Sequence, residues 1–110
     1  MSNLRKLEKR YFEDLFNMST GYVLDFSNRT FEEFFIDIVD IDIYDEKYNY
    51  WSVSKANRLR SFWDQENDHV VGNVLDNLLE HYMYLVRTNE YYNEHLYKKC
   101  KDIVEKLKNS

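Results

Sequence analysis

The sequence predicts an all-α fold: a single compact domain spanning residues 1–110, with about five helices around a central apolar helix at 68–87 and a short extended segment near 41–44. Three observations carry this. The stretch DHVVGNVLDNLLEHYMYLVR places Val70, Val71, Val74, Leu75, Leu78, Leu79, Tyr82 and Met83 two per turn, at i, i+3, i+4 and i+7, which is the pattern of a helix with a broad buried stripe. Turn formers are scarce: there is no proline and there are two glycines, too few for the tight turns of a β-sandwich. At 110 residues and 44% hydrophobic content, the chain builds one modest core and falls outside the disordered class.

The first helix is expected over 4–16. Leu4, Leu7, Tyr11, Leu15 and Met18 recur at three and four, Phe12 and Phe16 widen the stripe, and charged residues take the other faces. The run Asn17-Met18-Ser19-Thr20-Gly21 ends it, because Gly21 accepts a left-handed turn. The short YVLDF stretch has no evident strand partner and is expected to be an extended connection inserting Val23, Leu24 or Phe26 into the core. Thr30 and Glu33 have the spacing of a capping box, so a second helix is expected over about 31–38, with Phe31, Phe34, Phe35 and Ile38 inward. From Ile36 to Tyr44 isoleucine and aspartate nearly alternate, which is a strand period; the second helix is expected to end near Val39 with a short extended segment at 41–44, the alternative being a β-strand starting earlier, at Phe35. A loop carrying Tyr48, Tyr50 and Trp51 follows. Ser52 or Ser54 caps a third helix with Ala56, Leu59, Phe62 and Trp63 inward and Lys55, Arg58 and Arg60 pointing elsewhere. Asn67 or Asp68 caps the central helix. Gly72 inside it costs about 1 kcal/mol against alanine, which a close approach by another element explains. Thr88-Asn89 breaks the chain before a last helix over 90–108. There Tyr92, Leu96, Cys100, Ile103 and Leu107 form a seam that packs back on the central helix or reaches a partner.

Composition narrows the function classes. A net charge of −5 disfavours general affinity for nucleic acid or anionic membranes. The lone cysteine forbids an internal disulfide and fits a reducing cytoplasm. The first residues lack a signal-peptide core, and no apolar run is long enough to span a membrane.

No cofactor or metal is expected. Asp37, Asp40, Asp42, Asp45 and Glu46 lack the glycine and the terminal glutamate of an EF-hand loop, and read as a solvated loop with its isoleucines inward. His69 and His81, on one helix, lie about 18 Å apart at 1.5 Å per residue and cannot share a metal. His81 reads as a surface residue and Cys100 as a buried, inert thiol. Phosphate loops, nucleophile elbows, HExxH and paired CxxC motifs are absent. Arg60 and Arg87 stand too far before His69 and His95 to match the arginine–histidine pair of HEPN-type ribonucleases. No catalytic residues are assigned, and the chain reads as a non-enzyme.

An interaction domain remains. The aromatic excess suggests partner contacts through Tyr48, Tyr50, Trp51, Tyr91 and Tyr92, with Arg58 and Arg60 as charged pair-formers. The partner is expected to be a protein, an effector domain or a second copy. The alternative is a nucleic-acid-binding module using Arg5, Lys6, Lys9, Arg10, Lys55, Arg58 and Arg60, although the apolar, acid-led central helix is a poor recognition helix.

The segments LEKRYFEDLFNMSTGYVLDFSNRTFEEFF, SKANRLRSFW and VVGNVLDNLLEHY resemble the N-terminal domain of bacterial abortive-infection proteins of the AbiJ type, over about two thirds of the chain. The most specific pieces are MSTGYVLDFSNRTF and SKANRLRSFW. The resemblance implies a sensing, adaptor or self-association role in phage defence. In that family the module precedes a separate effector, so this chain is expected to be such a module or a stand-alone version.

Overall fold

A computed structural model describes residues 1–50, 54–87 and 92–110. Trp51, Ser52, Thr88, Asn89 and Tyr91, for which capping, chain-breaking or contact roles are expected, lie outside them. Among the described residues there are five α-helices and no strand: α1 (Lys6–Leu15), α2 (Asn28–Val39), α3 (Lys55–Gln65), α4 (Asp68–Val86) and α5 (Glu94–Lys108), with single 3₁₀ turns at Met18–Thr20 and Glu46–Tyr48. No helix among them is long and apolar enough to cross a membrane.

The expected central helix is α4. Val71, Val74, Leu75, Leu78 and Leu79 are fully buried, and the helix packs on both α2 and α5. Asn67 caps it, its side chain accepting from the Val70 N–H at 3.0 Å. Helix α5 runs back antiparallel to α4 and buries Cys100, Ile103, Val104 and Leu107. Gly72 marks where they touch: a Cβ there would lie 3.0 Å from the Lys108 Cγ and 3.2 Å from the Leu107 Cβ. The close approach expected from the sequence is thus the C-terminal turn of α5. Asp76 ties the pair, accepting from Lys101 at 2.7 Å and Lys108 at 2.9 Å.

Three local expectations are corrected. Helix α2 starts at Asn28, earlier than the Thr30–Glu33 spacing suggests. Ser27 is its cap: the Thr30 N–H donates to the Ser27 Oγ (3.1 Å) and the Ser27 N–H to the Thr30 Oγ1 (2.9 Å). The Ser27 hydroxyl thus accepts from the Thr30 amide, one of the first-turn donors of a helix that begins at Asn28. The alternative strand from Phe35 is overturned: α2 runs on to Val39 as expected, and the segment at 41–44 has no strand partner among the described residues. It ends in a turn closed by the Asp45 N–H to the Asp42 carbonyl (3.1 Å), while Ile43 inserts into the core. The third correction concerns α1. Its buried line is Leu4, Glu8, Phe12, Leu15 and Phe16, and Leu7 is 59% exposed. Both stripes have helical spacing, but the one holding two phenylalanines buries more apolar area.

The connection between α1 and α2 follows expectation in its contacts. Asn17 and Gly21 take left-handed conformations, Val23 and Phe26 are buried, and Leu24 is partly buried. The aromatic core runs on through Phe31, Phe35 and Phe62, with Phe35 ring centroids 5.1 Å from Phe31 and 5.0 Å from Phe62.

Three carboxylates couple this fold to pH. Burial pushes Glu8 up, but the Arg5 N–H and Lys106 outweigh it and the net shift is downward. Asp68 is lowered first by the Asn3 N–H, and by the Ser110 and Asn3 side chains. Asp76 is raised by burial and lowered further by Lys101 and Lys108. Depressed folded-state values contribute stability that is present above the ordinary carboxylate range and is lost as pH falls through the folded values. Circular-dichroism melts are therefore expected to hold steady from about pH 7 to 5 and to fall steeply below about pH 4, the carboxylate range.

Candidate docking groove between the first and last helices

The rotated stripe of α1 leaves an open groove against α5. Glu8 and Lys106 pin the two helices at 2.6 Å, and the Arg5 N–H donates to the other Glu8 oxygen at 2.9 Å. Beside that pin lies a recess of about 350 Å³ lined by Arg5, Leu7, Glu8, Tyr11, Lys99, Asp102 and Ile103. Leu7, Tyr11 and Ile103 supply an apolar floor and edge. The Lys99 ammonium sits 5.4 Å from the centre of the Tyr11 ring. Among the described residues neither Arg5 nor Lys99 takes part in an ion pair, and both are exposed. Lys6 and Arg10 stand exposed on the same helix. In a chain of net charge −5, Arg5 and Lys99 put two cations on the rim, beside the exposed Asp102 carboxylate, around a stranded leucine.

Residues expected to face partners are scattered. Tyr48 is 2% exposed, its hydroxyl donating to the Glu66 Oε2 at 2.8 Å; burial and that carboxylate push its pKa up to about 12. Arg58, also buried, donates from Nη1 to the carbonyls of Ile43 (3.0 Å) and Asp45 (3.4 Å) and lies 4.7 Å from the Tyr44 ring centre. These two are corrected from exposed contact residues to interior ones. Of the rest, Tyr50 and Tyr92 are exposed, and Arg60 is half-buried against Glu13 at 2.7 Å and Asn57 at 2.8 Å. Trp51 and Tyr91 fall outside the described residues.

The basic set does not gather into one face either. Lys9 pairs with Asp64 at 2.8 Å, Arg60 with Glu13, and Lys55 and Arg58 are buried, which leaves Arg5, Lys6 and Arg10 exposed on α1. Leu7, Tyr11, Lys99, Asp102 and Ile103 were not singled out from the sequence as a site. The available signal was the competing line Leu4–Glu8–Phe12–Leu15, which turns Leu7 outward once the phenylalanines are weighted by size.

Other chemistry-bearing groups sit apart from the groove. His81 contacts Asp25 at 2.6 Å and stacks on Phe26 with ring centroids 4.6 Å apart. Among the described residues no three His, Cys, Asp or Glu side chains are placed to hold a metal ion. Cys100 is buried, and burial, with Asp14 nearby, pushes its thiol up to about 12. A thiol so high and enclosed is scarcely thiolate at neutral pH. Maleimide labelling of native protein is therefore expected to be at least about 100-fold slower than in 6 M guanidinium, read by intact mass. No protein-family model, curated protein or solved structure matches the chain.

Proposed function

We propose that this chain is a non-enzymatic protein-interaction domain that receives an acidic, amphipathic helical segment of a protein partner in the groove between α1 and α5. The observation that carries this reading is Leu7, 59% exposed on an otherwise well-packed helix and bordered by Arg5 and Lys99. An apolar side chain of the partner would cover Leu7 and Tyr11, and its carboxylates would meet the cationic rim. Charge complementarity at such a rim acts mainly on association rate and partner choice, and the buried apolar anchor supplies most of the affinity.

The resemblance of MSTGYVLDFSNRTF and SKANRLRSFW to AbiJ-type N-terminal domains supports a setting in cytoplasmic bacterial phage defence, with the domain as sensor or adaptor. The dispersal of the basic residues supports a protein rather than a nucleic acid as partner.

The test is fluorescence anisotropy with a labelled synthetic helix carrying leucines on one face and glutamates on the other. Leu7→Glu, on an exposed position, is expected to leave the melting temperature unchanged and to weaken binding at least about tenfold, the weight of one lost apolar anchor and one like charge. Equal binding by the wild type and Leu7→Glu would remove this reading.

A further inference from the structure

A second recess lies where α2 and α3 begin and shares no lining residue with the α1–α5 groove. It has a volume of about 320 Å³ and is lined by Thr20, Gly21, Tyr22, Asn28, Ser54 and Lys55. Lys55 is 8% exposed, and Arg58, one turn further along α3, is 7% exposed. Among the described residues neither makes an ion pair with a carboxylate. The other buried charges are compensated: Glu8 meets Lys106, and Asp68, at the start of α4, accepts from the Asn3 backbone and side-chain N–H groups and the Ser110 hydroxyl.

Neutral groups alone hold the two cations. The Lys55 Nζ donates to the Asn28 Oδ1 at 3.1 Å and lies 4.7 Å from the Tyr22 ring centre. The Asn28 Oδ1 is shared, accepting the Tyr44 hydroxyl at 3.1 Å as well. The Arg58 Nε is buried and has no hydrogen-bond partner among the described residues. A charge taken out of water without a counter-charge is costly, and an ammonium has three donors to satisfy. Lys55 is also the first residue of α3, the positive end of its dipole, which adds to the cost. Asn28, which lines the recess, is the first residue of α2.

We propose that this recess binds the phosphate group of a small molecule, with Lys55 as its counter-charge. Phosphate matches what the recess lacks: negative charge and several acceptor oxygens for the Lys55 ammonium. Tyr22 is 57% exposed at the edge and offers a flat face on which a ring carried by the phosphate can stack. The phosphate therefore comes either free or on a nucleoside monophosphate.

The test is a proton–nitrogen NMR titration of the full chain in HEPES with sodium phosphate, with sodium chloride at matched ionic strength, and with adenosine monophosphate. Phosphate, and not chloride, is expected to give saturable shifts centred on the Gly21, Tyr22, Asn28, Arg29 and Lys55 amides. Lys55→Met, folded by circular dichroism, is expected to weaken phosphate binding about tenfold or more, the weight of one charge-assisted hydrogen bond, and Lys55→Arg to retain it. Tighter binding of the monophosphate than of phosphate assigns the ligand a ring against Tyr22; equal binding assigns free phosphate. Shifts that chloride reproduces, or that scatter over the surface, overturn the proposal. So does a Lys55→Met protein that titrates like the wild type. The wild-type titration decides the matter alone should Lys55→Met fail to fold.

Discussion

Phe35→Ala is expected to cost about 3–5 kcal/mol, the range for emptying a buried phenylalanine site. The ring is fully buried and lies within 5.7 Å, centroid to centroid, of Phe31, Phe34 and Phe62. It joins α2 to α3, and α2 in turn packs on α4, so the cavity would sit where three helices meet. Aromatic neighbours are rigid and close poorly over a void, which places the cost toward the upper part of the range. A small domain has only about 5–15 kcal/mol in total, so urea unfolding of this variant should begin near zero denaturant. Phe34→Ala, at a partly exposed position on the same helix, is expected to cost clearly less; equal losses for the two would show that α2 presents a different face to the core.

Gly72→Val is the second large effect. The glycine has an ordinary helical backbone, so its reason is space rather than conformation. A Cβ alone would stand 3.2 Å from the Leu107 Cβ and 3.4 Å from the Lys108 backbone nitrogen. Valine adds two methyl groups against the last turn of α5, and overpacking of this kind costs about 1–3 kcal/mol. The damage should be local as well as global: the Asp76–Lys108 pair, at 2.9 Å, is expected to open, and amides near the end of α5 to lose exchange protection. Gly72→Ala has two opposing contributions, about 1 kcal/mol of helix propensity gained against a tight contact that the flexible Lys108 side chain relieves in part. It should come out close to neutral. A Gly72→Val protein as stable as the wild type would contradict the α4–α5 packing.

These residues show what the sequence discloses. The α4 stripe and the Cys100–Ile103–Leu107 seam were legible because apolar side chains at helical spacing have one good place to go. The cap of α2 lies one turn earlier than the Thr30–Glu33 spacing predicts, since Ser27–Thr30 has the same spacing and only the course of the incoming chain distinguishes them. The Ile–Asp alternation at 36–44 mimicked a strand period, but it straddles the end of α2 and a turn, where no neighbouring backbone supplies a ladder. Lys55 and Arg58 are interior because α3 is covered on nearly all sides, and a helix's own polar residues do not announce how many neighbours surround it. Leu7 failed in the opposite sense: its spacing promised burial, and the bulk of Phe12 and Phe16 turned the helix away from it. The groove is a consequence of that competition between two stripes, settled by side-chain size and by where α5 lands, neither of which spacing alone records.

Amide-shift mapping with the acidic leucine-faced helix as probe tests the docking account most directly. Saturable changes should run along one side of α1 from Arg5 to Tyr11 and along α5 from Lys99 to Ile103, and should weaken steeply with added salt. Changes centred on Tyr50, Tyr84 or Tyr92 with the α1–α5 groove unmoved would contradict it.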